Sequence, residues 1–346
     1  LRRQSLSNAL IVRSQFTKAL RDSLFQMDFN EIETPMLTAS TKEGARDFVV
    51  PSRVQNGKFY ALPQSPQQYK QLLMVAGFEK YFQIARCIRD EDLRADRGFE
   101  FSQLDLEMSY AEREDVFEVI QKSLSSAIKK VGGKLKTDKF PILTYDEVLK
   151  KYGDDKFDIR SDQEKKENIL SFVWVVDYPM YKKVDKEDTA ETRDGISGYT
   201  FTHNPFSGIA KESIKDQLGG TNIEKIKATQ YDLVCNGYEI GSGSIRATDV
   251  DILKSTFKIM GYDEKRTQEN IGHILKAFSY GTPPHGGIAL GIERLIMILQ
   301  NTPSLKDTVA FPMTSRGNTA VMDAPSKISD EQLKELGIAL ELEDEE

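Results

Sequence analysis

The stretch from residue 89 to 110, RDEDLRADRGFEFSQLDLEMSY, limits the possible folds more than any other part of the chain. From Phe101 onward polar and apolar residues alternate strictly. One face, mainly apolar, consists of Ser102, Leu104, Leu106, Met108 and Tyr110. The other face, mainly polar, consists of Phe101, Gln103, Asp105, Glu107 and Ser109. Period-two alternation is typical of a half-buried strand, so we expect one packed face and one face open to a ligand.

Helical periodicity and turn signals alternate along the rest of the chain. Helices are predicted over residues 6–28, 65–77, 112–132, 144–153, 248–261 and 266–281. Strands or hairpins are predicted over residues 46–62, 80–89, 172–181 and 231–247, the last around an Asn-Gly turn. Residues 154–168 lack periodicity and indicate a surface connection, and residues 182–198 indicate a polar hairpin or loop. The pattern predicts an α+β fold with a mostly antiparallel sheet flanked by helices.

Composition restricts the function classes. The chain has 346 residues, 39% hydrophobic and 29% charged, which suits a globular protein with a sizeable core. A net charge of −7 argues against a generally basic nucleic-acid binder but leaves a local basic groove open. The two cysteines follow no metal or redox spacing, and no apolar run is long enough to cross a membrane. The cytoplasm is the expected location, and an organelle matrix stays an alternative because a processed transit peptide leaves no trace.

Four cationic residues lie at the ends of predicted elements and not in exposed charged runs. Arg89 ends a strand, Arg246 lies on the second strand of a hairpin, Arg294 opens a buried helix and Lys70 lies on a short helix. Guanidinium groups bind phosphate or carboxylate oxygens two at a time, so the set predicts an anion pocket. Any one of these residues is more often a surface ion-pair partner. The combination is harder to explain in that way, because acidic residues that could face these cations occur at several predicted strands.

Glycines add weaker evidence for a ligand site. Gly241 and Gly243 lie inside a predicted strand, where glycine weakens packing unless a ligand or another backbone comes close. Gly286, Gly287 and Gly291 lie at the start of a predicted helix that runs to residue 299. The phosphate-binding loops of dinucleotide folds and P-loop enzymes are absent. The three histidines are too scattered for a zinc motif, and no serine nucleophile elbow occurs.

Four segments resemble the catalytic domain of the bacterial-type aspartyl-tRNA synthetases, a class II family. They are TPMLTASTKEGARDFVVPS, LPQSPQQYKQLLMVAGFEKYFQIARCIRDEDLRADRGFEFSQLDLEMSY, YDLVCNGYEIGSGSIR and YGTPPHGGIALGIERLIMIL. The resemblance covers about residues 1–120 and 172–335, with the three class II motifs ending near Pro35, at 81–110 and at 286–299. It implies an antiparallel sheet that holds ATP and a homodimer formed through the first motif. It also implies a two-step reaction, in which aspartate is activated by ATP and then moved to the 3′ end of tRNA(Asp).

The resemblance also assigns roles to the residues that would handle ATP. Arg89 corresponds to the arginine at the α-phosphate and the substrate carboxylate, and Arg294 to the arginine at the γ-phosphate; these two are the expected catalytic residues. Phe101 corresponds to the aromatic residue under adenine. The implied ATP-binding residues are Arg89, Glu91, Phe101, Glu239, Gly291 and Arg294. Asp232 and Glu239 correspond to the carboxylates that hold Mg²⁺, a cation that prefers oxygen ligands.

The remaining roles concern the amino acid. The implied aspartate-binding residues are Glu43, Gln67, Lys70, Arg89, Gln103, Asp105, His203 and Arg246. Lys70 and Arg246 correspond to the pair that binds the side-chain carboxylate. Two cations favour aspartate over asparagine, since an amide would leave buried positive charge unmatched. We expect Glu107 only to hold an arginine in place, and His203 to lie in a flexible segment that closes over the substrate.

The sequence also departs from the family. Gly98, Asn204 and Ser242 replace a usual glutamine, histidine and glycine. Residues 154–170 stand where the family carries an insertion domain, so residues 1–346 are expected to form a single catalytic domain. The family's anticodon-binding barrel would precede residue 1, and without it we expect weak affinity for tRNA.

Two other functions stay open at this point. One is a tRNA-independent ligase that passes activated aspartate to ammonia or another amine. The other is a non-catalytic regulatory relative. Such relatives usually lose the charges of the transfer site, whereas Arg89, Glu239, Arg246 and Arg294 are all present here.

Overall fold

The computed structural model describes residues 3–41, 43–319 and 321–341. The helices within these ranges are α1 (Gln4–Phe25), α2 (Gln67–Val75), α3 (Arg113–Lys130), α4 (Tyr145–Tyr152), α5 (Asp162–Lys166), α6 (Thr189–Asp194), α7 (Ile214–Gly219), α8 (Val250–Ile259), α9 (Glu264–Ser279), α10 (Ile292–Leu299) and α11 (Asp330–Leu336). The strands are β1 (Asn30–Glu31), β2 (Val49–Pro51), β3 (Phe59–Ala61), β4 (Lys80–Ile88), β5 (Glu100–Ser109), β6 (Lys134–Leu135), β7 (Ile142–Thr144), β8 (Ile169–Leu170), β9 (Phe172–Val176), β10 (Tyr181–Lys183), β11 (Tyr199–Phe201), β12 (Gln230–Cys235), β13 (Tyr238–Ile245) and β14 (His285–Gly291). Each helix in these ranges is too short or too polar to span a bilayer.

Eight strands form the central sheet, in the order β1-β4-β5-β14-β13-β12-β9-β7. The five pairs from β4 to β9 are antiparallel, and only the outer pairs β1·β4 and β7·β9 are parallel. Helices pack against this sheet, so the prediction of an α+β fold with a mostly antiparallel sheet is confirmed.

Strand β5 lies between β4 and β14 and alternates as the sequence predicts. Leu104 and Leu106 are fully buried in the main hydrophobic core, together with Met108. Gln103 and Asp105 point the other way, into a cleft. Because neighbouring residues of a strand face opposite sides of the sheet, the same ten residues supply both core and site.

The two faces of the sheet are covered differently. Helices α1, α3 and α10 cover one face with a continuous core that includes Phe16, Leu20, Ile120 and Leu295. Helices α2, α8 and α9 form a second hydrophobic cluster, and α2 lies against β5. Amphipathic periodicity explains the placement of most of these helices. Helix α2 is the exception, because its buried side chains are mainly polar: Gln67, Gln68, Lys70 and Gln71, with Met74.

Two predicted elements are wrong in type or length. Residues 286–291 form strand β14, and only the part from Ile292 onward is helical. The glycines fit closely between two neighbouring strands, where a side chain on Gly287 would collide with the backbone of Leu106. The strand predicted over residues 172–181 ends at Val176, because Asp177 adopts a left-handed conformation with φ of 63°.

Other boundaries also differ. Helix α1 ends at Phe25 and not at residue 28, since Asp28 has a positive φ of 63°. The polar segment 182–198 contains the short helix α6 between two paired strands, β10 and β11. The predicted surface connection contains α5 and buries Phe157, which stacks on Tyr152 at 4.4 Å. This part of the chain is therefore anchored to the protein.

Candidate active site

A cleft of about 250 Å³ opens on the side of β5 that carries Gln103 and Asp105. Its lining comes from β5, β13, β14, α2 and the loop between β4 and β5. Of the predicted site residues, all except Asp232 line it: Glu43, Gln67, Lys70, Arg89, Glu91, Phe101, Gln103, Asp105, His203, Glu239, Arg246, Gly291 and Arg294. Residues far apart in the sequence are thus brought together in one site.

Four charged side chains form a buried network at the base of the cleft, which we call the charge network: Lys70, Asp105, Glu107 and Arg246. The Lys70 Nζ lies 2.6 Å from Asp105 Oδ1 and 3.2 Å from Glu107 Oε2. Arg246 donates to both Glu107 oxygens, at 2.8 Å from Nε and 3.0 Å from Nη2. Each of the four side chains is at most 2% exposed. Two cations therefore face two carboxylates out of contact with bulk water.

The two carboxylates of the charge network titrate differently. Burial by itself raises the pKa of Glu107, but Arg246 and Lys70 outweigh it and lower that pKa to about 2. The pKa of Asp105 is raised, because burial exceeds the opposing effect of Lys70. Asp105 accepts a hydrogen bond from Lys70 through Oδ1, and its buried Oδ2 has no hydrogen-bond partner. The neighbouring Tyr81 hydroxyl, whose pKa burial and Asp105 raise, donates to Gln83. An unpartnered buried oxygen is costly unless a ligand supplies a donor.

A second unpartnered oxygen lies on Glu43. Its Oε2 accepts a hydrogen bond from the Ser65 hydroxyl, whereas its Oε1 is buried without a partner. Burial raises the pKa of Glu43, and Ser65 and Arg89 only partly oppose this. The cleft thus offers two buried carboxylate oxygens, on Glu43 and Asp105, to a ligand that carries N–H donors.

Arg89 lies above Phe101, with its Cζ 5.0 Å from the ring centroid. Its Nε donates to the Gln64 carbonyl at 3.2 Å. In the described part of the chain, no carboxylate lies within ion-pair distance of this guanidinium. The remaining N–H groups of Arg89 are therefore available to an anion in the cleft, and the exposed part of Phe101 to a flat ring.

Arg294 lies in the first turn of α10 and is held by two other elements. Its Nη1 donates to the Glu239 carbonyl at 2.7 Å, and its Nη2 lies 3.2 Å from Asp96 Oδ2. The loop between β4 and β5 contains a second pair, in which Arg97 lies 2.9 Å from Glu91. Ion pairs formed by this loop therefore occupy the groups predicted to meet the phosphates.

Asp232 does not line the cleft, in contrast to the other residues of the predicted set. Its Oδ2 lies 2.9 Å from His203 Nε2, and its Oδ1 accepts from Ser242 and Gln230. Burial raises the pKa of Asp232, but these three partners outweigh it and the pKa is lowered overall. Asp232 Oδ1 accepts two hydrogen bonds and Oδ2 only one, so Oδ2 is the oxygen with a lone pair left for a Mg²⁺ ion.

Glu239 suits a metal ligand better. Its carboxylate lines the cleft, is 28% exposed and lies 3.6 Å from the Lys156 ammonium. Asp155 is close by: burial raises its pKa to about 6, with further contributions from Asp154, Asp232 and Glu239. Within the described ranges, no group of three His, Cys, Asp or Glu residues is arranged to hold a metal ion. A Mg²⁺ ion bound by one carboxylate and by substrate phosphates remains compatible with these residues.

Several residues of the site are missing from the sequence prediction. Ser65 bonds Glu43, Asp96 bonds Arg294, and Glu293 binds Arg13 at 2.6 Å and the Ser102 amide at 2.9 Å. Lys156 comes from the segment predicted as a plain connection. The available signal was Phe157, an aromatic residue within a charged stretch, which indicates an anchored segment.

The glycines of β13 and β14 allow close packing of the sheet. Side chains on Gly241 and Gly243 would collide with the backbone carbonyls of Ala289 and Gly287, so these glycines accommodate the neighbouring strand, and Gly241 also lines the cleft. A side chain on Gly287 would also meet the Glu107 carboxylate. The glycine at this position therefore leaves room for the charge network. Arg246 follows β13 by one residue and is held there by a backbone bond to His285.

The chain is similar to known proteins in sequence and in structure. The family "tRNA synthetases class II (D, K and N)" matches residues 1–315. An aspartate–tRNA ligase of Macrococcus caseolyticus is 34% identical over 469 aligned positions, covering 100% of this chain and 77% of the relative. An aspartate–tRNA(Asp/Asn) ligase of Pelagibacter ubique is 36% identical over 471 positions, covering 99% and 77%.

Solved structures share the fold at lower identity. The asparaginyl-tRNA synthetase of Pyrococcus horikoshii with asparaginyl-adenylate is 22% identical, with a TM-score of 0.68 over 90% of this chain and 70% of that chain. The aspartyl-tRNA synthetase of Entamoeba histolytica is 21% identical, with a TM-score of 0.64 over 90% and 59%. The match to the family over most of the chain, together with relatives that align with its whole length, shows that the chain belongs to the class II tRNA synthetases of the D, K and N type.

Proposed function

We propose that this chain activates L-aspartate with ATP and transfers the aspartyl group to the 3′ end of tRNA(Asp). The observation that carries the proposal is the buried charge network, in which Lys70 and Arg246 face the cleft beside two carboxylates. The names of relatives 34–36% identical over nearly all of the chain support the same activity.

The amino acid would bind at the base of the cleft. Lys70 and Arg246 would take its side-chain carboxylate, and Arg89 its α-carboxylate, since guanidinium and ammonium groups pair with carboxylate oxygens. Its ammonium would donate to Asp105 and Glu43, whose buried oxygens lack partners. Gln67 and Gln103 line the same space and add amide groups, and His203 borders it. Asparagine would bring its ammonium without a side-chain carboxylate, so the buried charge network would carry one excess positive charge, which disfavours asparagine.

ATP would occupy the more open part of the cleft, with adenine on Phe101. One α-carboxylate oxygen of aspartate would attack the α-phosphorus, and the bond between that phosphorus and the bridging oxygen would break to release pyrophosphate. Arg89 would stabilise the charge that develops at the α-phosphate, and Arg294 would bind the γ-phosphate. Glu91 and Gly291 line this part of the cleft and complete the nucleotide site.

Mg²⁺ is the cation that this reaction would use. Glu239 would be its protein ligand beside the phosphates, and Asp232 would join it through Oδ2, which accepts only one hydrogen bond. When bound, Mg²⁺ neutralises part of the phosphate charge.

The acceptor end of tRNA would reach the same cleft in the second step, when its terminal hydroxyl attacks the activated carbonyl carbon and AMP leaves. A homodimer through the first class II motif is part of the proposal. It is supported by exposed apolar residues directly after that motif and on the hairpin of β2 and β3: Met36, Leu37, Val49, Val50, Phe59 and Tyr60. We place the reaction in the cytoplasm.

We further propose that residues 1–346 form one catalytic domain, with 154–170 as a short connection in place of an insertion domain. The alignment with each relative is longer than the chain itself, so the relatives contain segments that this chain lacks. This supports the shortened connection.

The test is aspartate-dependent exchange of pyrophosphate into ATP, followed by charging of bulk tRNA with labelled aspartate. We expect exchange with aspartate and not with asparagine, and label on tRNA(Asp). Exchange without charging, together with release of asparagine from aspartate, ATP and ammonium, would identify a tRNA-independent amide ligase instead. Absence of exchange would identify a non-catalytic relative.

A further inference from the structure

One buried carboxylate in the cleft, that of Asp105, lies next to the proposed positions of both the ligand's ammonium and its side-chain carboxylate. Asp105 Oδ1 lies 2.6 Å from the Lys70 ammonium, while Asp105 Oδ2 is buried in the cleft lining without a partner. We propose that Asp105 couples recognition of the ligand's ammonium to recognition of its side-chain carboxylate. The inference rests on the proposed function and adds to it a reason why the ligand's ammonium and side-chain carboxylate are recognised together.

The charge count of the network supports this coupling. Without ligand, Lys70 and Arg246 are matched by Asp105 and Glu107, so the buried network carries no net charge. A carboxylate entering alone would add an uncompensated negative charge in a site that excludes water, which is unfavourable. L-aspartate brings an ammonium together with its side-chain carboxylate and keeps the count balanced.

The hydrogen-bond inventory leads to the same conclusion. The Lys70 ammonium donates a hydrogen bond to Asp105 and forms an ion pair with Glu107, so Asp105 is its hydrogen-bonded acidic partner when no ligand is bound. An ammonium donating to Asp105 draws that carboxylate's charge away from Lys70, which then binds the incoming carboxylate more strongly. Asp105 thus occupies Lys70 when the ligand is absent and releases it when an ammonium arrives.

Glu107 and Glu43 cannot perform this role. Glu107 has both oxygens on Arg246 and lies behind the cleft lining. Glu43 lines the cleft and has an unpartnered oxygen, but it is bonded to Ser65 and makes no ion pair with Lys70 among the contacts of the described residues. Glu43 is therefore a matched control: a buried acid at the same ligand that lacks the link to Lys70.

The test uses four ligands that differ in only two groups. L-aspartate and L-asparagine carry the ammonium, whereas succinate and succinamate lack it; the first of each pair has the side-chain carboxylate and the second the amide. Dissociation constants are measured by calorimetry, with weak ligands measured by displacement, for the unaltered chain and for Asp105→Asn and Glu43→Gln. The carboxylate preference is the dissociation constant of the amide ligand divided by that of the carboxylate ligand. This ratio is compared between the pair of ligands that carries the ammonium and the pair that lacks it.

In the unaltered chain we expect the carboxylate preference to be at least about 10-fold larger when the ammonium is present, a typical coupling between contacting groups. Asp105→Asn should reduce this difference to less than about threefold, because Lys70 is then paired with Glu107 alone, whatever the ligand carries. Glu43→Gln should weaken the binding of both L-aspartate and L-asparagine. The carboxylate preference should still be larger for the ligands that carry the ammonium. A difference that survives in Asp105→Asn, or disappears equally in Glu43→Gln, overturns the coupling.

The proposed function can fail separately. If the unaltered chain does not prefer L-aspartate over L-asparagine, the substrate assignment is wrong, whatever the variants do. Circular-dichroism melting checks that Asp105→Asn folds. If it does not, Lys70→Gln is used: with the shared cation removed, the carboxylate preference should become equal for ligands with and without the ammonium, and a preference that still depends on the ammonium overturns the coupling.

Discussion

The two sides of the cleft balance their charges in different ways. On the aspartate side, the charge network is at most 2% exposed, and its bonds join α2, β5 and the end of β13. On the phosphate side, Arg294 is 22% exposed and its partner Asp96 34%, and Asp96 comes from a loop. Buried charges on regular elements hold a fixed arrangement, whereas partly exposed pairs are screened and easily exchanged.

This difference matches what each ligand demands. A site that distinguishes a carboxylate from an amide needs charges fixed in the absence of water. A site that takes up a triphosphate and releases pyrophosphate needs cations that can change partners. Substitutions on the aspartate side should therefore cost stability and specificity, and those on the phosphate side should change nucleotide binding with little effect on folding.

The largest effect is expected for Glu107→Gln. The amide leaves Arg246 and Lys70 without their shared counter-charge, which should lower the free energy of unfolding by about 3–5 kcal/mol. Urea unfolding at pH 7 measures this. Glu100→Gln on the same strand is the control, because its pair with Arg86 is about half exposed and should contribute less than about 1 kcal/mol. Equal losses in the two variants would contradict the contrast between buried and exposed pairs.

The same carboxylate should produce an acid-dependent loss of stability. The folded pKa of Glu107 is about 2, below its ordinary value of 4.5, so its contribution is complete above about pH 4.5 and is lost as the pH falls towards 2. Linkage gives a loss of about 2 kcal/mol by pH 3 from this group. Glu107→Gln should lack this component, so the gap between the two unfolding free energies should narrow on acidification; a constant gap would contradict the lowered pKa.

Arg89→Ala should have the largest effect on catalysis. Loss of one charge-stabilising donor at the reacting centre typically costs about 100- to 1000-fold in rate, so pyrophosphate exchange should become barely detectable. The fold should be retained, because Arg89 forms no ion pair with the described residues. Arg86→Ala is the control from β4, the strand that directly precedes Arg89, with a half-exposed side chain paired to Glu100. If Arg89→Ala keeps most of its exchange activity, the assigned role is wrong.

Much of the aspartate side could be predicted from the sequence. The alternation from Phe101 to Ser109 identifies both faces of β5, and Leu104 and Asp105 lie where it places them. Short-range periodicity is sufficient there, because alternate residues of a strand face opposite sides of the sheet. The assignment of Lys70 and Arg246 came from the family resemblance, because periodicity does not indicate which helix lies against which strand.

The phosphate side was predicted less well. The pairing of Asp96 with Arg294 joins residues 198 positions apart, and no local pattern indicates it. Residues 286–291 were predicted as helix, because glycines that fit between β5 and β13 cannot be recognised before both neighbours are known. Lys156 was missed because a charged segment resembles a solvated connection unless its one anchored residue, Phe157, is taken into account.

Asp96→Ala should have a smaller effect and should improve the apparent affinity for ATP. Removing the loop carboxylate leaves Arg294 bound only through backbone carbonyls, so the KM for ATP should fall by about two- to threefold, the scale of a partly exposed ion pair. Steady-state exchange at varied ATP measures this. Asp92→Ala in the same loop is exposed and should change nothing. A rise in the KM for ATP would mean that Asp96 orders the loop for the nucleotide and does not compete with it.

Lys156→Met should have the smallest effect. The Lys156 ammonium lies 3.6 Å from Glu239 and is 49% exposed, so the pair contributes little by itself. It nevertheless competes with any cation that Glu239 binds. The Mg²⁺ concentration for half-maximal exchange should therefore fall by about twofold, equivalent to about 0.4 kcal/mol. Lys150→Met, on the exposed face of α4, is the control and should leave the Mg²⁺ dependence unchanged. An increased Mg²⁺ requirement in Lys156→Met alone would instead mean that this lysine binds the phosphates together with the metal.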